Sequence, residues 1–279
     1  MNILVTGKGG NSGSWKVRGE QLGKAIGATV KPLATHAEIA AHDLTVVVKR
    51  TTQSVIDSLK WRRWVWDLVD FYPQPEASAW SRKEAAQFVR DRLRHLQPTA
   101  VIWPTARMRE DCDDGRPGLV LPHHFRPGIE RNPIREQVTT VGYEGRLDYI
   151  ERWTERIADE CAKRGWTFVA NPRSLAELDI VVAFRGGKWD GYVQRRWKSN
   201  VKLANAHGSG TPFVGQVESG YEETASGAEY WAEDMHSVRT AFDWLESQTA
   251  REQVSDRFLQ AAFPVERAAE QLKAFLRAL

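Results

Sequence analysis

Apolar positions in this chain come in short runs, each followed by a turn and then by a stretch with helical spacing. Residues 2–6 form a first apolar run, and a glycine-rich turn follows at 7–13. A helix is predicted over 14–26, with Val17, Leu22 and Ile26 on one face. Strands are predicted at 29–33, 44–49, 64–69, 100–103 and 119–121, with a short helix at 55–59. Ser81 followed by Glu84 is a capping-box signature for a helix running to about residue 96. Asp67 and Asp70 lie at the end of the 64–69 strand, which Pro73 and Pro75 close.

The texture then changes. Residues 124–137 contain Pro127, Gly128 and Pro133 and few apolar positions, which reads as an interdomain linker. Alternation restarts with strands at 138–141, 167–170, 180–184 and 212–215. Helices are predicted at 147–164, with Ile150, Trp153, Ile157 and Cys161 on one side, and at 197–207. From about residue 228 the tail reads as helical, broken near Pro264. Strands alternating with helices of this length imply right-handed βαβ units and mostly parallel sheets. Two such series predict two Rossmann-like domains, an N-terminal one over 1–130 and a C-terminal one over 131–262. A final helix over 263–279 is expected to pack back on the first domain through Val265, Ala268, Leu272 and Phe275. Ligands of such sheets sit at the carboxyl ends of the strands, here expected in a cleft between the domains.

Composition narrows the class. At 279 residues, 42% hydrophobic and 27% charged, the chain has enough apolar material for two cores. No run approaches a membrane span, and the first residues lack the basic start of a signal peptide, so a cytoplasmic protein is expected. Cys112 and Cys161 are too few and too far apart for a disulfide scaffold or a zinc site, and no His/Cys cluster announces a metal. A formal charge of +3 is too weak to mark a nucleic-acid binder by itself. Two clusters mix cations with tryptophan, Lys60–Trp64 and Arg195–Lys198. That chemistry suits phosphates, bases or sugar faces, or a basic surface over a tryptophan-rich core.

Two motifs carry candidate chemistry. The first is Gly7–Trp15, a glycine loop opening a helix, where backbone can approach an anion. Its spacing is neither the dinucleotide fingerprint nor a P-loop, which withdraws support from NAD and ATP. The second runs from Lys198 through Asn200 and Lys202 to Gly210, Pro212 and a strand, and is followed by Glu218 and Glu222. Cations are disfavoured at a helix N-terminus unless an anion is bound there. Over residues 182–223 this order resembles the donor domain of GT-B glycosyltransferases. The resemblance implies two Rossmann-like domains facing across a cleft and a sugar transferred from a nucleoside-diphosphate sugar, UDP-linked as the first expectation, without a metal or other cofactor. Lys198, Asn200 and Lys202 would then hold the diphosphate, Glu218 or Glu222 the ribose or sugar hydroxyls, and Arg185 and Lys188 would face the phosphates. Gly142 would bring backbone amides toward the donor. The helix lacks the paired glutamates of the best-known retaining enzymes, which leaves the stereochemical outcome open.

A base is expected from the first domain. Residues three apart on a strand point to opposite sides, so at most one of Asp67 and Asp70 faces the cleft. Asp70 is preferred, with the His123–His124 pair, His123 first, as the other candidate. Gly10, Asn11, Ser12 and Arg18 would line the acceptor. The glycine loop with Arg18 and Glu20 also resembles the opening of bacteriophage-encoded glycosyltransferases, some of which modify hydroxylated bases in DNA, so DNA is an acceptor lead. Two other readings stand beside this one. One is a sugar-nucleotide epimerase of the same fold. The other is a nucleic-acid-binding module without catalysis, which strong salt-dependent DNA affinity would favour.

Overall fold

The computed structural model describes residues 1–70 and 79–279, so Pro73 and Pro75 lie outside the described residues. The chain divides into two compact units. Unit 1 contains Met1–His123, Arg196–Ser199 and Val265–Leu279, and unit 2 contains His124–Arg195 and Asn200–Pro264.

Unit 1 is a six-stranded parallel sheet in the order β2-β1-β3-β4-β5-β6. Its strands are β1 (Ile3–Gly7), β2 (Thr29–Val30), β3 (Leu44–Val48), β4 (Trp64–Asp67), β5 (Ala100–Trp103) and β6 (Gly118–Val120). Strands β3, β4 and β5 are buried throughout, as strands covered by helices on both faces must be. The helices are α1 (Leu22–Ala25), α2 (His36–Ala40), α3 (Gln53–Leu59), α4 (Arg82–Leu96) and α5 (Ala106–Cys112). The predicted capping box closes the start of α4: Ser81 accepts from the Glu84 amide and Glu84 accepts from Ser81. The predicted first helix is present, but its centre, Trp15–Gln21, is π-helical. Such wide turns are rare and often sit at functional sites. Here Trp15 lies against Gly19, where a Cβ would come within 2.5 Å of the indole.

Unit 2 is a five-stranded parallel sheet in the order β11-β10-β9-β7-β8. The strands are β7 (Thr140–Tyr143), β8 (Thr167–Ala170), β9 (Ile180–Ala183), β10 (Phe213–Gly215) and β11 (Tyr230–Trp231). The helices are α6 (Trp153–Lys163), α7 (Tyr192–Arg196, its last residue counted with unit 1), α8 (Val201–Ser209), α9 (Ser219–Glu222), α10 (Met235–Leu245) and α11 (Gln248–Ala261). The last helix, α12 (Val265–Ala278), belongs to unit 1 and packs on α1. It buries Ala268, Ala269, Leu272 and Leu276, while Phe275 and Val265 are half-buried. That stripe is turned slightly from the predicted one.

Three expectations are corrected. The tail after residue 228 is not all helix, because Tyr230 and Trp231 add an edge strand beside β10. The helix predicted over 197–207 starts only at Val201, so Lys198 and Asn200 precede it. Residues 124–137 lack regular structure as expected of a linker, but they are built into unit 2. The Asn132 side chain donates to Leu178 O at 2.5 Å and Thr211 Oγ1 at 3.0 Å, and its amide donates to Ser209 O at 2.7 Å. Phe125 lies over Gly208, where any Cβ would stand 2.5 Å from the ring.

Candidate active site

In a doubly wound sheet the strand order reverses at one point, and the loops there leave a crevice at the carboxyl ends of the strands. In unit 2 that point lies between β7 and β9. Tyr143 ends β7, and Arg185 follows β9 by two residues. The Arg185 guanidinium donates to both oxygens of Glu218, at 2.7 and 2.9 Å, and its amide donates to Gln216 Oε1 at 2.6 Å. Arg185 is 5% exposed and Glu218 1%, so this is a buried bidentate ion pair. Each carboxylate oxygen uses one lone pair on Arg185 and has a second.

Lys202, in the first turn of α8, donates to Tyr143 Oη at 2.9 Å and lies 4.1 Å from the ring centre. No acidic residue occupies that first turn. The Tyr143 hydroxyl is pushed up by burial, with Arg185 pulling the other way and Glu218 adding to the rise. Tyr221 is raised by burial and by Glu218. Both phenols are therefore neutral donors at ordinary pH. Gly145, at φ +141°, carries the backbone past this group: a Cβ there would meet Tyr143 Oη at 3.1 Å and Lys202 Cε at 3.4 Å.

The structure thus brings Arg185, Glu218 and Lys202 to one sheet edge, together with Tyr143, Gly145, Gln216 and Tyr221. Of the added residues, only Gly145 had a sequence signal, a glycine three residues past Gly142. Gly142 itself sits inside β7 rather than ending it. Its missing Cβ makes room for Leu178, 2.5 Å away, and for Val169 O, so packing requires this glycine. Lys188 is exposed, with its ammonium 5.8 Å from the Trp189 ring centre. Glu222 is exposed on α9, and Asn200 is the buried residue preceding α8.

Lys198 is counted with unit 1 and donates to Asp70 Oδ2 at 2.5 Å, while Lys49 pairs with the other oxygen of Asp70. The tryptophan beside it, Trp197, is fully buried and donates to Asp111 Oδ2 at 2.9 Å. The neighbouring Arg195 pairs with Asp190 and Glu233, which accounts for the second cation–tryptophan cluster. In the first cluster Trp64 is core and Trp61 stands fully in solvent.

At the carboxyl edge of unit 1 the reversal lies between β1 and β3, where the Lys8 amide donates to Arg50 O at 2.7 Å. Gly9 and Gly10 take positive φ, and Gly10, Asn11 and Ser12 are exposed. Arg18 does not join them. It is 2% exposed, donates to Leu121 O and lies 3.6 Å from Asp67. Burial lowers Arg18, and Asp67 opposes that; burial raises Asp67, and Arg18 opposes it. The β4 strand ends at Asp67, and Val69 takes a left-handed φ of 59°, so the two aspartates leave the strand toward different cations. Burial alone would raise Asp70, but the charges and hydrogen bonds of Lys198 and Lys49 outweigh it and hold the carboxyl well below its ordinary range. His123, the last residue of unit 1 before the division, is buried, as is His124, which contacts Phe125 O through Nδ1 at 2.8 Å. Among the described residues no group of three His, Cys, Asp or Glu side chains could hold a metal ion, and both cysteines are buried free thiols.

Solved structures share this architecture along the whole chain. Anabaena HepE in complex with UDP and glucose matches at a TM-score of 0.67 and 12% identity, covering 100% of both chains. The fold is of the GT-B type. A sucrose-phosphate synthase from Thermosynechococcus elongatus matches the GT-B chain at a TM-score of 0.64 and 11% identity, covering 100% of this chain and 99% of its own. A Listeria monocytogenes protein proposed to be a UDP-N-acetylglucosamine 2-epimerase matches at 0.58 and 13%, covering 99% and 96%. No family model and no curated protein matches the chain by sequence. None of the described helices is long and apolar enough to cross a membrane.

Proposed function

We propose that this GT-B chain is a glycosyltransferase that takes its sugar from a UDP-linked donor bound at the carboxyl edge of the unit-2 sheet. The observation that carries the reading is Lys202: a cation in the first turn of α8, a turn without an acidic residue, beside Tyr143 and the Arg185–Glu218 pair. A cation opposes the helix dipole there, and a bound diphosphate reverses the sign of that interaction. The HepE complex with UDP supports the choice of nucleotide. In this reading Lys202 and the amides of the α8 N-terminus meet the diphosphate, and Lys188 adds charge from its exposed turn. Glu218, fixed by Arg185, accepts ribose or sugar hydroxyls. Preorganised donors around the departing diphosphate stabilise charge as the glycosidic bond breaks, without requiring a metal ion. The acceptor oxygen forms the new bond to the sugar carbon, and its proton passes to a base. His123 is the proposed base. Asp70, kept ionised by two lysines, has little proton affinity and serves instead to position Lys198 and Lys49. Gly10, Asn11 and Ser12 offer backbone and polar groups to an acceptor, for which hydroxylated DNA is one class to screen.

Thermal stabilisation by UDP and UDP-glucose, measured on wild type and on Lys202→Ala, tests the donor site. A ligand that binds only the folded state raises the melting temperature. UDP should raise it in wild type and, at equal concentration, not in the variant. Equal shifts in both proteins would remove Lys202 from the site, and no shift in wild type would remove the donor. The epimerase reading predicts turnover of a UDP-sugar with no acceptor present, which a coupled assay detects.

A further inference from the structure

Unit 1 contains a pocket of about 370 Å³ that the donor reading does not use. Its floor is the sheet: Val47 on β3, and Trp64 and Trp66 on β4, which share a face because they are two residues apart. One wall is α4, whose Phe88, Arg92 and Leu96 recur every four residues and so line one side of the helix. The opposite wall is α3, through Gln53 and Ile56, and the carboxyl end of β3 closes the pocket with Lys49, Arg50 and Thr51.

The lining has one sign of charge. Lys49, Arg50 and Arg92 are cationic, and no carboxylate appears among the described lining residues. Lys49 is offset by Asp70. Arg92 has no ion pair among the described residues, and its guanidinium lies 5.7 Å from the Phe88 ring centre. Thr51 Oγ1 is shielded from solvent and has no hydrogen-bond partner among the described residues, a loss that a bound acceptor or donor would recover. Half-buried Phe88 supplies flat apolar surface, and the buried rings of Trp64 and Trp66, with centres 6.3 Å apart, form the floor beneath. The volume falls in the range of small-molecule sites.

We propose that this pocket binds an organic phosphate whose body is a flat ring, with the ring against Phe88 and the anion against Arg92 and the Thr51 hydroxyl. Aromatic surface and guanidinium each favour such a ligand over a neutral sugar or a bare anion. The pocket lies wholly in unit 1, so the proposal stands whether or not the unit-2 edge binds UDP.

The test titrates the full chain with 1-naphthyl phosphate by isothermal calorimetry, with 1-naphthol and ribose 5-phosphate as partial mimics. Arg92→Glu should weaken naphthyl phosphate at least about tenfold, and Thr51→Val about fivefold. Arg94→Glu, on the same helix but outside the pocket, should leave binding unchanged. Melting curves confirm that each variant is folded. No binding to wild type, or equal binding by all four proteins, overturns the site. Naphthol binding as tightly as naphthyl phosphate overturns the anion half, and ribose 5-phosphate binding as tightly overturns the ring half. A UDP response that survives Arg92→Glu and is lost in Lys202→Ala belongs to unit 2, so the two readings fail separately.

Discussion

Glu229→Gln is expected to destabilise unit 2 at neutral pH and to cost almost nothing near pH 2. Glu229 Oε1 accepts from His207 Nε2 at 2.7 Å, from the Ser226 amide at 2.8 Å and from Ser226 Oγ at 3.0 Å, and Oε2 accepts from the Gly227 amide at 3.0 Å. Burial would raise this carboxyl, but His207 and the amides outweigh burial and bring it from 4.5 down to about 2. A shift of that size corresponds to about 3.4 kcal/mol. Solvent screening around the half-exposed 226–228 turn reduces the expectation to about 2–3 kcal/mol. The sign follows from a depressed pKa: the stabilisation is fully present above the unfolded value of 4.5 and is lost as pH falls toward 2. Glutamine keeps one acceptor but turns an N–H toward Gly227, so it should behave like the protonated acid. Urea unfolding followed by tryptophan fluorescence at pH 7, 5, 4 and 3 measures the difference. A gap that stays constant across this range would show that the contribution does not arise from ionisation, and the reasoning would fall.

Two further outcomes follow from packing and charge. Gly142→Ala places a methyl group against Leu178 and Val169 O and should cost about 1–3 kcal/mol, measured by calorimetric melting, without altering UDP affinity beyond the loss of folded protein. Asp70→Asn leaves Lys49 and Lys198 facing each other without their carboxylate and should cost about 2–3 kcal/mol. Because Asp70 is depressed, that deficit should persist from pH 7 down to pH 4 in melting curves and close only below the unfolded value.

The sheet architecture was legible because fully buried parallel strands leave short apolar runs that nothing else in the sequence imitates. The capping box at Ser81 and Glu84 marked a helix start for a local reason, and local reasons survive folding. Misreadings arose where tertiary contact decides. Tyr230 and Trp231 are too short a run to announce a strand and become one only by pairing with Val214 and Gly215. Residues 124–137 look like a linker because their attachment to unit 2 rests on side-chain hydrogen bonds from Asn132 rather than on apolar periodicity. Of the candidate donor site, Lys202 and Glu218 were readable from the helix-start anomaly and the acid after the strand. Tyr143 and Gln216 were not, since only the strand order sets them beside Lys202 and Arg185. The partner of Lys198 was not readable either: four residues from Lys202 in sequence, it pairs with Asp70.

Unit 1 is assembled from three stretches of chain, the last of them α12. Its sheet is complete at β6, yet the helix that covers α1 comes after the whole of unit 2. On a ribosome adding about 5–20 residues per second, the first-made sheet therefore waits on the order of ten seconds with that flank open. Unit 2 can close before unit 1 does. Vectorial synthesis, which ordinarily lets the first domain fold first, here leaves the amino-terminal domain to be finished last, and it makes that flank the surface a nascent-chain chaperone would have to shield.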